Sequence, residues 1–203
     1  MNETRCDTRL RWLYGAMILG LILQAGGLEA QHAGHEYSDQ GFERSVHRYD
    51  VPDVTVLTQD RTEFRLDELA RSDQPVLVDF IFATCTTICP VLSAGFSNLQ
   101  RELGDEVHRV RLISITIDPE HDSPEVMKKY LERYRARPGW DFVTGDRRTI
   151  DRIMRAFDAY VPDKMSHRPL VFLRGPEDDE WVRILGFIPT RRLLAEVRRV
   201  SER

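Results

Sequence analysis

From Asp50 onward the apolar positions fall into two alternating patterns, short near-continuous runs and longer stretches where they return every three or four residues. Pro75-Val-Leu-Val-Asp-Phe-Ile-Phe82 is a continuous run, as expected of a strand buried on both faces. Leu92, Phe96, Leu99 and Leu103 then recur at helical spacing, and Gly104 marks a stop. A second buried strand is read at Val110–Ile117, and Val54, Val56 and Leu57 suggest an earlier one before a turn at Thr58–Arg61. Ser123 and Pro124 have the character of a helix cap and first turn, ahead of an inner stripe of Met127, Tyr130, Leu131 and Tyr134. A short strand at Asp141–Val143 leads to a helix carrying Ile150, Ile153, Met154 and Phe157. Pro169–Leu173 and Trp181–Phe187 read as two strands joined by Gly175-Pro-Glu-Asp178, and Leu193, Leu194, Val197 and Val200 mark a last helix. Strands alternating with helices and closing on a hairpin and a helix predict an α/β domain with a central mixed sheet.

The amino-terminal part differs. Arg5, Arg9 and Arg11 precede the apolar run Leu13–Leu23, and small residues Ala25, Gly26 and Gly27 follow. This is the order of a secretory signal, and the run is shorter than the roughly 20 residues of a spanning helix. Residues 1–30 are therefore read as a signal peptide, cut after Ala30 or retained as an anchor. Residues 31–49 are polar and aperiodic and read as a tether, leaving 50–203 as one domain. Either way the domain is exported, into a periplasm, and meets a membrane only through that segment. A net charge of −4 gives no electrostatic footprint for nucleic acid.

Export changes the meaning of the cysteines. Cys6 falls in the basic start, so the exported chain keeps Cys85 and Cys89 in an oxidising compartment. A bridge between residues this close closes almost no loop and stabilises little, so redox reactivity or metal binding explains the pair better. Cys85-Thr-Thr-Ile-Cys-Pro90 stands where a buried strand yields to a helix. Sites gather at such strand ends, and free N–H groups at a helix start favour a thiolate. If the first helical turn extends back through Cys85, both sulfurs share one face about 6 Å apart at Cα, which suits a disulfide or one metal ion. Two thiolates with an imidazole suit copper, whereas structural zinc wants a fourth ligand that the sequence does not offer. His167, two residues before Pro169, is the best placed histidine; on pattern alone it serves equally as a ligand or as a surface-loop residue before a strand.

The run Val76–Pro90, the later Ser114-Ile-Thr-Ile-Asp-Pro-Glu120 with Asp122-Ser-Pro124, and Ser166-His167 before a strand resemble the Sco/SenC family, over roughly Asp50 to Arg199. The resemblance implies a thioredoxin-like fold and a copper site of Cys85, Cys89 and His167. It also implies work on the binuclear copper centre of cytochrome c oxidase, by carrying copper or by reducing that centre's cysteines. The partner would then be the copper-centre subunit of a terminal oxidase, or another exported thiol protein. The family's matching aspartate places Asp118 near the metal, as a residue that orients a ligand or tunes its charge. Pro169 departs from the family pattern. Thioredoxin-like oxidoreductases keep a cis-proline at the matching place, and a cis bond costs an X-Pro pair only about 0.5–1 kcal/mol. There Pro169 would crowd a copper ion and favour pairing with a thiol substrate; alternatively it simply begins an edge strand.

Asp79 is read either as an acid–base helper beneath the cysteines or as a hydrogen-bonded structural carboxylate. His32 and His35 belong to a solvated tail, Met165 to loop or core packing, His121 to a helix entry facing water, and Arg191, Arg192, Arg198 and Arg199 to the outer face of the last helix. Two functions therefore compete. One is a copper-binding assembly factor; the other is a thiol–disulfide oxidoreductase in which Cys85 attacks and Cys89 resolves. A peroxidase fits less well, because Pro90 follows the second cysteine instead of preceding the first. A purely structural disulfide domain completes the set.

Overall fold

The computed structural model describes residues 41–202; the predicted signal, Cys6, His32 and His35 lie outside the described residues. Eight strands form one mixed sheet in the order β1-β8-β7-β4-β5-β6-β2-β3. The strands are β1 Phe42–His47, β2 Thr55–Thr58, β3 Glu63–Arg65, β4 Val76–Ile81, β5 Arg111–Thr116, β6 Trp140–Thr144, β7 Leu170–Arg174 and β8 Trp181–Gly186. Helices α1 Cys89–Leu103, α2 Pro124–Arg133, α3 Arg147–Ala156 and α4 Thr190–Ser201 flank it. No helix among the described residues is long and apolar enough to cross a membrane.

Every residue of β4 is buried, as its unbroken apolar run predicts. It pairs in parallel with β5 (Asp79 opposite Ser114) and antiparallel with β7 (Asp79 opposite Val171). Side chains alternate across the sheet. On one face Trp140 meets Phe96 of α1 and Phe142 meets Tyr130 of α2. On the other, Phe80 and Phe172 stack edge-on around Phe157, which also meets Trp181. Burying such aromatics, at roughly 150–250 Å² each, supplies much of the core's hydrophobic stabilisation. The Ser123 hydroxyl caps α2 by accepting the Val126 N–H, with Pro124 in the first turn, and Asp146 caps α3 through the Thr149 N–H at 2.7 Å.

Three expectations are corrected. Phe42–His47, inside the segment read as a tether, is the edge strand β1, paired along its length with β8. Its glutamate, arginine and serine disguise it, yet Arg44 reaches across to Glu196 of α4 at 3.1 Å. The helix does not run back through Cys85 but begins at Cys89. Pro90 explains this, because it has no N–H for the Thr86 carbonyl and its ring would clash there. Finally, the bond before Pro169 is trans, since no cis peptide occurs among the described residues. The chain enters β7 directly, and the Pro169 carbonyl accepts the Gly186 N–H at 2.9 Å. The arginines of α4 do face outward, as expected.

Asp79 is fully buried at the sheet centre, and neither carboxylate oxygen has a hydrogen-bond partner. Burial lifts its pKa from 3.8 to about 7; the Ser114 hydroxyl beside it, which also receives the Trp140 indole N–H, opposes this only in part. A carboxyl raised by folding stabilises the native state fully below its unfolded pKa, and that contribution disappears as pH rises through the folded value. Over this interval it amounts to about 4 kcal/mol at ~1.36 kcal/mol per pKa unit. Asp79→Asn is therefore expected to equal wild type in denaturant midpoint near pH 4, to exceed it increasingly as pH rises to about 7, and to keep a constant advantage above that. A pH-independent difference between the two would refute the assignment.

Candidate metal and redox site

The sheet itself assembles the site. Because β4 and β5 are parallel and β7 runs antiparallel to β4, the segments after β4, after β5 and before β7 share one edge. These segments carry the two cysteines, Asp118 and His167. Asp122, fully buried, pins the first loop: its carboxylate accepts the Ala83 N–H at 3.2 Å and the Thr116 hydroxyl at 2.5 Å. The chain then turns, with the Cys85 N–H on the Phe82 carbonyl at 3.1 Å, and enters α1 at Cys89.

Both cysteines are free thiols and buried, while His167 is half-buried. One ligand atom from each of the three lies within 4.8 Å of the others, and no carboxylate or further imidazole among the described residues joins them. The Cys89 N–H points at the Cys85 sulfur at 3.5 Å, so the helix start meets this sulfur from outside the helix. Cys89 Sγ lies 3.2 Å from His167 Nε2. On the far side of the ring, Nδ1 donates to the Lys164 carbonyl at 2.6 Å. A neutral imidazole holding its proton at Nδ1 presents the Nε2 lone pair to the sulfurs.

The two thiols are unlike. Burial opposes ionisation of Cys85, but the Cys89 thiol and N–H, with further help from Thr87, outweigh it and hold its pKa below the ordinary thiol value. Cys89 is pushed strongly up, first by burial and then by its bond to Cys85. Burial also lowers the His167 pKa, the Lys164 carbonyl working against it, which favours the neutral ring. The cluster thus ionises first at Cys85, while the single Cys89 proton lies between two acceptors.

Asp118, buried after β5, donates no atom to the cluster. Its oxygens bond Lys164 Nζ at 2.5 Å and His121 Nδ1 at 2.9 Å. Burial works against its ionisation, but the bonds from Lys164 and His121 outweigh it and keep the carboxyl below its usual range. Met165 is exposed on the turn before His167, outside the core, with its N–H on Asp163. Asp122 as a positioning group, Lys164, and Phe82, whose ring stands edge-on to His167 at 5.3 Å, come to the site from the fold and not from the sequence pattern. For Asp122 a signal existed, a carboxylate just past a buried strand; for Lys164 none did.

The SCO1/SenC family model matches residues 57–202. A SCO1 protein homolog of Bacillus subtilis is 35% identical over 137 residues, covering 64% of this chain and 70% of its own length. Among solved structures, BsSco, described as a member of the Sco family of cytochrome c oxidase assembly proteins with a disulfide switch, superposes with a TM-score of 0.65 at 30% identity. The match covers 78% of this chain and 96% of that one. ScoI of Bradyrhizobium japonicum, solved with copper bound, shares the fold at a TM-score of 0.61 and 23% identity, over 76% and 98% of the two chains. The mixed sheet is accordingly a thioredoxin-like one, and with its two cysteines and one histidine gathered at a single sheet edge the chain belongs to the SCO1/SenC family.

Proposed function

We propose that this chain is an exported copper-binding assembly factor, which delivers copper to, or keeps reduced the thiols of, the binuclear copper centre of cytochrome c oxidase. The observation that carries the reading is the convergence of Cys85, Cys89 and His167, with the Nε2 lone pair already turned inward. Two thiolates and one imidazole match a soft ion of low coordination number, and a site with no further imidazole, thiol or carboxylate among the described residues suits a cargo that must leave. Copper is the cargo here, held by those three side chains and passed on by exchange with a partner's ligands. Membership in a family whose BsSco member is described as an oxidase assembly protein supports the same client. Asp118 and Pro169 serve as supports of the ligand loop, one through Lys164 and the other by stiffening the entry to β7. The basic, apolar and small-residue order of residues 1–30 supports export to the periplasm, as a soluble or anchored protein.

The acidity difference between the thiols favours a second activity at the same site. The Cys85 thiolate attacks one sulfur of a partner disulfide and expels the other as thiolate. Cys89, having lost its proton, then attacks the Cys85 sulfur and releases the first partner sulfur. The partner gains two electrons, and the pair ends as the Cys85–Cys89 disulfide. This chemistry readies copper-ligating cysteines, so the two activities serve one client.

In anaerobic titration the reduced protein is expected to bind one equivalent of copper. Cys85→Ser and Cys89→Ser should abolish that binding, and His167→Ala should weaken it by at least the roughly 10–100-fold that losing an outer-shell partner costs. Equal affinity in wild type and Cys85→Ser would end the carrier reading. In timed alkylation of the metal-free protein, Cys85 should react first, with a midpoint below the ordinary thiol value, while Cys89 stays protected. Faster labelling of Cys89 would contradict the assigned roles.

A further inference from the structure

Lys164 is the residue that links the end of β5 to the imidazole of His167. Its Nζ lies 2.5 Å from Asp118 Oδ2, and that carboxylate is itself fixed: its side chain is 5% exposed, and the Asp118 N–H bonds the Thr116 hydroxyl at 2.9 Å. The same lysine's carbonyl receives His167 Nδ1 at 2.6 Å, and the His167 N–H as well. Its ammonium also lies 5.2 Å from the centre of the Phe82 ring, against which the imidazole stands edge-on. Between these contacts is one short 3-10 turn, Lys164–Ser166, closed by the Asp163 carboxylate on the Met165 N–H. A single turn has no cooperative stability of its own, so its position depends on what it is tied to.

We propose that the Asp118–Lys164 ion pair is a latch and Lys164 a positioning residue: by tying this turn to the end of β5, the pair sets the tautomer and direction of the His167 ring. Released from Asp118, Lys164 would no longer hold its carbonyl opposite Nδ1, and the ring would lose the bond that keeps its proton away from the sulfurs. A ring protonated at Nε2 offers the cluster no lone pair. The ion pair is shielded on its carboxylate side, so it is screened by salt less than a surface pair. The consequence for copper rests on the reading of His167 as a ligand; the consequence for the ring does not.

The test uses the reduced, metal-free protein, with Lys164→Met, Asp118→Asn and Lys164→Arg compared against wild type. Long-range proton–nitrogen NMR reads the His167 tautomer at a pH where the ring is neutral, and copper titration follows. Wild type should show one tautomer, protonated at Nδ1. Lys164→Met and Asp118→Asn should admit the Nε2-protonated form and lose roughly tenfold or more in copper affinity. Lys164→Arg, which keeps the charge, should restore both. An unchanged tautomer in folded Lys164→Met overturns the latch whatever the affinity does. A changed tautomer upholds it, and if copper affinity then stays at the wild-type level, the failure lies with His167 as a ligand.

Discussion

The antiparallel pairing of β7 against β4 is the constraint on which the site depends. Cys85 and His167 are 82 positions apart, and nothing local could bring them together. With Asp79 opposite Val171, Cys85, four residues after Ile81, and His167, three residues before Leu170, come to the same sheet edge. The 3.2 Å contact between Cys89 Sγ and His167 Nε2 is the consequence. A slip of one residue would turn every side chain of β7 to the other face and take buried Phe172 out of its aromatic cluster. Core packing therefore holds the register, and the register holds the site.

Around this junction polar groups are buried with uneven satisfaction, and the unevenness has chemical meaning. Asp122 is bonded to both a backbone N–H and a hydroxyl and acts as a strut. Asp118 is bonded to two basic side chains and stays ionised. Asp79 has no such partner and is driven toward its neutral form, which leaves the floor below Cys89 short of charge. A low-dielectric floor resists ionisation of the inner thiol, while helix-start N–H groups favour it at the outer one. One scaffold thus holds a more acidic and a less acidic thiol side by side, and the same two sulfurs, once both ionised, are the copper ligands of the proposed function.

Much of this was legible from residue order. The unbroken apolar run of β4, the spacing of Leu92, Phe96, Leu99 and Leu103, and Ser123-Pro124 as a cap are local signals, and the structure places those elements accordingly. Cys85 and Cys89 stood out by their strand-to-helix position, whereas the pattern around His167 fitted a ligand and a loop residue equally, and only the family resemblance singled it out as a ligand. The rest was hidden for physical reasons. The edge strand β1 is half-buried and polar, and β3 is three residues long, so neither carries enough pattern to show. The start of α1 turned on a steric detail, the effect of Pro90 on Thr86. The Asp118–Lys164 pair joins residues 46 apart, a contact that only the folded sheet creates.

The central claim, that both sulfurs and one imidazole close on a single ion, is tested most directly by X-ray absorption at the copper edge of the reduced, copper-loaded protein. The account predicts a shell of two sulfur scatterers and one imidazole nitrogen, with the imidazole signature absent from His167→Ala. A shell identical in wild type and His167→Ala would contradict it and leave the cysteines as a dithiol pair alone.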